Sequence, residues 1–515
     1  MIILVHNTDI VISCQKTGKV LSDYHQKPLV NTFFKLAKDY PDELLIWVHQ
    51  DIHQNLNTES FDEIFHHKRI MASYSGVQYL PESIGYVEQS PFINVNLEVK
   101  YPTWRMHQNV GGINTAVVNK LEPFIKRHKN LNYILHSIAK LAQPRGLLCY
   151  SHPKLLKPVK KLQTVQNQKA NTSELFSFVA QHYKWVWKHL LLLNLTIYES
   201  KFNLWAWLKS LFLSQIKVKS SLLKSITLPE LKPFNKSQIQ LDVIIPTIGR
   251  KKYLYDVLKD LSKQSLLPQN VIIIEQNPNP ETQSELDYLV TEQWPFKITH
   301  RFIHQTGACN ARNMALDLVK SEWVFLADDD IRIEKDYLLG SIELIKRLGS
   351  SILVTECLRE FDVSQKFDFK SWPTFGSGTS ILKFEVIKNI KFNMSYENGF
   401  GEDVDFGMQI RNLGYDVLFS SKTKLKHLKA PVGGFRTSPS LPWGNEKPLP
   451  KPSPTVLLSK ILHHSEPQVY GYKTLLFINT LKSKGLIHLF SHLSYFKKAW
   501  NTSLRWSTIL NNKHQ

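Results

Sequence analysis

Cysteine is scarce in this chain: four in 515 residues, Cys14, Cys149, Cys309 and Cys357, far apart and forming no C-x-x-C pair. That excludes a disulfide framework and suits a reducing cytosol. No apolar run reaches the ~18 residues a membrane span needs. The longest candidate, His189-Leu190-Leu191-Leu192-Leu193-Asn194-Leu195, is soon interrupted. The opening Met1-Ile2-Ile3-Leu4-Val5-His6-Asn7 is apolar but short and lacks a basic lead, so it reads as a first strand and not as a signal peptide. Acid is also short: 44 Asp and Glu stand against 64 Lys and Arg, a formal net charge of +20, and none follows Glu466. Such a balance favours nucleic acid or an anionic membrane surface as partner. No helix-turn-helix, zinc or RNA-sheet signature accompanies it and the basic segments are also apolar, which argues against nucleic acid.

What is present is apolar content of 43%, ample for sizeable cores in two or three domains. The most informative stretch is Trp323-Val324-Phe325-Leu326-Ala327-Asp328-Asp329-Asp330, an apolar run that ends in three carboxylates. It reads as a buried strand with the acids at its C-terminal end. Three such acids repel unless something positive sits among them, and hard divalent cations prefer oxygen ligands. Asp-rich turns after strands are also commonly just solvated, so the surrounding order of elements has to decide. Leu241 to Thr247 is a strand ending in Pro246-Thr247, with a basic turn, Arg250-Lys251-Lys252, and a helical pattern after it. Val271 to Asn277 is a second apolar strand with a polar end, and Gly307 to Asn313 opens a helix that feeds the acidic strand. This β-α-β-α-β rhythm implies a mostly parallel sheet with its ligands at the strands' C-terminal ends.

From about Leu241 to Arg436 the sequence resembles family 2 glycosyltransferases, whose α/β nucleotide-sugar-binding domain has the GT-A arrangement. The matching pieces are Ile245-Pro246-Thr247, Gly307 to Asn313 with its Ala-Arg-Asn, Asp328-Asp329-Asp330, Gly376-Ser377-Gly378, Gly401-Glu402-Asp403-Val404-Asp405, Arg411 and His427. The resemblance implies that Asp328 and Asp330 are the D-x-D positions holding Mg²⁺ or Mn²⁺ and the donor's ribose, with His427 completing the metal shell. Asp329, between them, is expected to face solvent or a neighbouring amide. Asp403 is implied as the base that deprotonates the acceptor hydroxyl, with Glu402 in support, since adjacent carboxylates push one pKa upward. Gly-Glu-Asp is equally a good helix N-terminus. Pro246 and Thr247 are expected under the nucleobase, with Glu275 or Asn277 bonding to it. Here the chain departs from the commoner pattern, in which the second strand ends in aspartates. Arg312 and Asn313 are read as contacts to the diphosphate or base, Arg312 alternatively as a cap of its helix. Gly378 belongs to the donor site, and Arg436 either closes over the pyrophosphate or lies in an ordinary glycine loop. Family frequency points to UDP sugars as donors and to a saccharide or lipid-linked acceptor.

Residues 1–155 read as an N-terminal α/β domain. Leu44 to Ile52 echoes Trp323 to Ile331, Gly111 to Val118 echoes Gly376 to Leu382, and Tyr133 to Tyr150 parallels Phe406 to Phe419. Either this is a degenerate GT-A-like copy that has lost its metal acids and base, and binds acceptor or partner, or the echoes are coincidence. Residues 156–236 are expected to be a basic, aromatic-rich helical linker, 237–436 the catalytic domain, and 437–515 a Pro-rich linker with a basic amphipathic tail. Tryptophan interleaved with lysine in the linker and the tail suits peripheral attachment to the inner face of a membrane; the alternative is an interdomain core with a solvated face. Thr502-Ser503-Leu504-Arg505-Trp506 only loosely matches the Gln-x-x-Arg-Trp of processive synthases. The expectation is therefore a metal-dependent, inverting transferase of single sugars in surface polysaccharide assembly, its rival a non-catalytic sugar-binding scaffold. Retention of Asp328, Asp330 and Asp403 favours the enzyme.

Overall fold

A computed structural model describes residues 1–125, 128–158, 168–397, 399–431, 441–482 and 489–513. The chain divides into two compact units, residues 1–229 with 464–474, and residues 230–463 with 475–515.

In the first unit the strands are β1 (Ile2–His6), β2 (Val11–Lys16), β3 (Lys19–Val20), β4 (Leu44–His49), β5 (Ile70–Tyr74), β6 (Tyr101–Pro102), β7 (Val110–Asn114) and β8 (Leu148–Ser151). They form one sheet in the order β3-β2-β1-β4-β7-β5-β8-β6. Its helices are α1 (Leu29–Asp39), α2 (Thr115–Ile125), α3 (Leu131–Ala142), α4 (Thr172–His182), α5 (Trp187–Glu199) and α6 (Leu204–Leu211). The core is built from apolar strand residues such as Leu4, Leu45 and Trp47 and from inward helix positions such as Phe33 and Leu135.

In the second unit the strands are β9 (Leu241–Thr247), β10 (Asn270–Gln276), β11 (Lys297–Ile303), β12 (Trp323–Ala327), β13 (Ile331–Arg332), β14 (Ile352–Leu358), β15 (Phe369–Ser371), β16 (Thr379–Lys383) and β17 (Leu418–His427). Their order is β11-β10-β9-β12-β16-β14-β17-β13, with β15 on β17. Strands β9, β10 and β12 are nearly continuous apolar runs buried along their length, as a sheet covered on both faces requires. From β11 to β12 the sheet is parallel; β16 then runs antiparallel to both its neighbours, and β14 pairs parallel with β17. Helices α7 (Lys251–Leu261), α8 (Ala308–Leu316), α9 (Tyr337–Leu348), α10 (Glu402–Asn412), α11 (Pro454–His463) and α12 (Leu489–Lys513) complete the unit. The topology puts Thr247 at the C-terminal end of β9 and Asp328-Asp329-Asp330 at that of the adjacent β12.

The two sheets repeat one pattern. Strands β1-β4-β7-β5-β8-β6 have the chain order and directions of β9-β12-β16-β14-β17-β15. Register agrees as well: Leu44 pairs with Asn114 and Val48 with Val110, as Trp323 pairs with Lys383 and Ala327 with Thr379. His49-Gln50-Asp51 thus stand where the second sheet has Asp328-Asp329-Asp330. Gly111 corresponds to Ser380, not to Gly376 as the echo in sequence implied. It is glycine for a packing reason: a Cβ there would lie 2.4 Å from the Trp47 ring. Gly146 and Gly414, at φ +92° and +89°, each end the helical segment before the final strand pair. Counting back from each, Leu135 corresponds to Asp403.

Of the expected linker, the described residues 168–229 fall within the first compact unit. Helix α4 carries Phe176 and Phe178 fully buried into the first core, and the Phe178 ring stacks on Trp104 at 5.5 Å. The unit boundary falls after Pro229, and the second unit extends past 436 to take in α11 and α12. An amphipathic pattern reveals that a helix has an apolar face, not which core receives it. Phe178→Ala should therefore cost about 3–5 kcal/mol. The check is chemical denaturation, where a linker helix would leave the midpoint unmoved.

Candidate active site

The three carboxylates after β12 each have a cation of the protein's own. Asp329 accepts from Arg250 Nη1 at 2.6 Å and from the Thr247 hydroxyl at 2.7 Å. Asp330 lies 3.2 Å from His427 Nε2 and 3.4 Å from Arg250 Nη1, and accepts the Ala430 N–H at 2.9 Å. Asp328 faces Arg312 Nη2 at 3.3 Å. Repulsion within the triplet is thus relieved by Arg250, Arg312 and His427. Asp329 does not face solvent, as the sequence suggested, but is 3% exposed and locked to the end of β9. Burial pushes its carboxyl up to about 6 against the pull of Arg250 and Thr247. For Asp330 burial also works upward, yet the His427 bond, the Ala430 amide and Arg250 outweigh it and hold the carboxyl below its ordinary value. His427 sits at the end of β17 because β13 pairs there, with Ile331 opposite His427. Its imidazole is raised to about 10, first by the bond to Asp330 and then by Cys357.

Residues Ser377-Gly378 join this cluster to the candidate base. The Ser377 N–H donates to Asp403 Oδ1 at 3.1 Å, and a Cβ on Gly378 would fall 2.1 Å from Asp328 Oδ2. One dipeptide therefore touches both carboxylates, and only glycine allows the second contact. Glu402 and Asp403 open α10 after Gly401 at φ +120°. Burial raises Asp403, against Arg312 and the Ser377 bonds; burial and then the Asp403 charge raise Glu402. A carboxyl so raised is a better proton acceptor near neutral pH than a free aspartate.

Residues 242–404 match the model of glycosyl transferase family 2. Through this segment the chain is similar to glycosyltransferase family 2. A curated relative is a GalNAc(5)-diNAcBac-PP-undecaprenol beta-1,3-glucosyltransferase of Campylobacter jejuni, 23% identical over 176 residues, which are 30% of this chain and 56% of that protein. The chain thus matches little more than half of that relative's length. Among solved structures, S. aureus TarS 1-349 with UDP-GlcNAc aligns at TM-score 0.36 and 20% identity, covering 52% of this chain and 80% of that one. GalNAc-T7 with UDP, GalNAc and Mn2+ aligns at TM-score 0.32 and 12% identity, covering 41% and 49%.

Other residues expected in the site are engaged differently. Both ends of the Asn313 amide bond to the Phe392 backbone at 2.8 Å, a structural tie. Arg312 does not cap its helix: it reaches Asp328, with its guanidinium 5.7 Å from the Phe392 ring. Glu275 accepts from Ser284 at 2.5 Å and bonds His300 at 2.9 Å, and Asn277 closes a local turn on the Asn279 N–H. Pro246 is half-buried at the end of β9. Arg411 is fully buried and donates to the Trp372 carbonyl, tying α10 to the chain beyond β15. Arg436 lies outside the described residues. Among the described residues no group of three His, Cys, Asp or Glu is gathered to hold a metal. Of the expected ligands, Asp330 and His427 are already in contact, whereas Asp328 turns to Arg312.

Three contributors escaped the sequence reading. Arg250 was visible only as a basic turn. Glu397 accepts the Cys309 and Asn310 N–H groups at 3.2 and 2.7 Å, supplying the cap that α8 lacks. His463 bonds Asp405 at 2.7 Å and so fixes α11 against the helix that carries Asp403.

The His427–Asp330 pair sets a pH dependence. His427 titrates near 6.5 when unfolded and near 10 when folded, so the pair stabilises fully below about pH 6.5 and loses this contribution as pH rises through about 10. Denaturant titrations of native protein and His427→Gln are expected to show a stability gap that is widest near pH 6 and closes toward pH 10.

Proposed function

We propose that the protein is a nucleotide-sugar-dependent, inverting glycosyltransferase acting on a saccharide or lipid-linked acceptor in surface-glycan assembly. The observation that carries this reading is the bridge of Ser377-Gly378 between the Asp403 and Asp328 carboxylates, which puts a raised acid beside a charge-balanced diphosphate site. In the reaction Asp403 takes the proton from the acceptor hydroxyl as its oxygen attacks the anomeric carbon. The bond from that carbon to the diphosphate breaks on the opposite side, and its electron pair leaves with the nucleoside diphosphate. Arg312, between Asp328 and the Glu402–Asp403 pair, orients the departing group; Glu402 contacts the acceptor. Thr247 and Asp329 fix the floor of the donor site, and Pro246, Glu275 and Asn277 line its base end.

Two carboxylate oxygens and an imidazole nitrogen suit Mg²⁺ or Mn²⁺, and the contact of Asp330 with His427 supports these two and Asp328 as its holders. When bound, the ion would neutralise charge on the diphosphate as a Lewis acid. As a ligand His427 would serve as the neutral imidazole. UDP is the proposed donor nucleotide on family frequency. The Campylobacter relative, named for an undecaprenol-linked substrate, supports a lipid-linked acceptor, and the +20 charge supports work at the anionic inner face of a membrane. The shared strand order supports the first unit as a second copy of the fold that carries Leu135 where the base would stand and serves to bind acceptor or partner.

The test is release of nucleoside diphosphate from a panel of nucleotide sugars with Mn²⁺ or Mg²⁺. One donor should be hydrolysed or transferred, with activity lost in Asp330→Ala and lowered about 10²–10⁴-fold in Asp403→Asn. Calorimetry showing no nucleotide binding with either metal would instead favour a non-catalytic scaffold. A further expectation concerns the bridge: Gly378→Ala should lower transfer at least about tenfold while changing global stability by no more than about 1–3 kcal/mol, the range for overpacking.

A further inference from the structure

In the first unit, α5, α6 and the residues flanking them expose large apolar side chains that a water-facing surface does not normally carry. Trp185 is 70% exposed, Trp205 78% and Phe212 91%, with Phe202 and Ile197 also exposed. The supporting frame is ordered by internal bonds. Lys188 Nζ donates to the Ser210 carbonyl at 3.1 Å, and Trp207 Nε1 donates to His189 Nδ1 at 3.1 Å, fastening one helix to the other. Leu190, Leu191 and Leu195 occupy the buried side of α5, so the outward set is what remains once that helix has packed.

Charge around the face has one sign. Exposed Lys184, Lys201, Lys209, Lys217 and Lys219 share this stretch of chain with the aromatics. The only acid between Lys184 and Pro229 is Glu199, which is paired with Lys201 at 2.9 Å. Two copies meeting through this face would bring lysine rims together. An anionic bilayer complements both features, taking aromatic rings at headgroup depth and lysines against phosphates. Among the described residues no helix is long and apolar enough to cross a membrane, so contact here is with the surface only.

We infer that the α5–α6 face is the docking surface by which the protein sits on an anionic lipid bilayer. This deepens the proposed work on a lipid-linked acceptor and rests on that reading for its purpose, but its test is independent of catalysis. The full chain is sedimented with phosphatidylglycerol–phosphatidylcholine vesicles and with phosphatidylcholine alone. Native protein should bind the anionic vesicles at least about tenfold more strongly, and binding should weaken with salt. The triple variant Trp185→Ser, Trp205→Ser, Phe212→Ser and, separately, Lys201→Glu with Lys209→Glu should each lose about tenfold or more, with circular dichroism unchanged. If the triple variant misfolds, Trp205→Ser alone serves and should lose severalfold. Native protein that ignores anionic vesicles, or variants that bind as native does, would overturn the inference. So would self-association at micromolar concentration abolished by the triple variant, which would make a second copy the occupant. Donor hydrolysis on the same samples reads the catalytic proposal separately.

Discussion

Neutralising three adjacent carboxylates at the end of one buried strand is the constraint on which the second unit's site depends. Asp328, Asp329 and Asp330 can sit together because Arg312, Arg250 and His427 arrive from three different parts of the chain. Each cation fixes an element: Arg250 the turn after β9, Arg312 the helix α8, His427 the last turn of β17. An electrostatic requirement of a single tripeptide therefore helps to order the rim of the sheet.

What could be read from sequence was local. The apolar runs of β9, β10 and β12, the glycine after α10 and the order of motifs all lie within a few residues and carry their own periodicity. The pairings were not legible, because Arg250 and Asp329, or Glu397 and the start of α8, are far apart in the chain and meet only through the sheet. Asp329 was misjudged for that reason: an acid beside two others looks solvated until its partner is known. The helices from 172 to 211 were misjudged for another, since an aromatic stripe such as Phe176 and Phe178 does not say what will cover it. At Trp185 and Trp205 the aromatic side chains are left exposed.

The helix that carries Asp403 is also held by later segments of the chain. Helix α10 receives His463 from α11 on Asp405, and Ser507 in α12 donates in turn to the Pro454 carbonyl. Residues beyond the end of the family match thus belong mechanically to the helix that carries Asp403. Segments with no motif of their own thus help to set the geometry around Asp403.

Two sheets of one strand order within a single chain raise a hazard of mispairing, because each newly made strand of one has a counterpart position in the other. The centre of the first sheet carries a guard against such exchange. Trp47 lies across β7 so closely that position 111 admits no side chain. Were β16 to take the place of β7, Ser380 would fall at that point and drive its Cβ into the indole. A single bulky residue and the glycine that yields to it thus act as a key between two otherwise interchangeable locks.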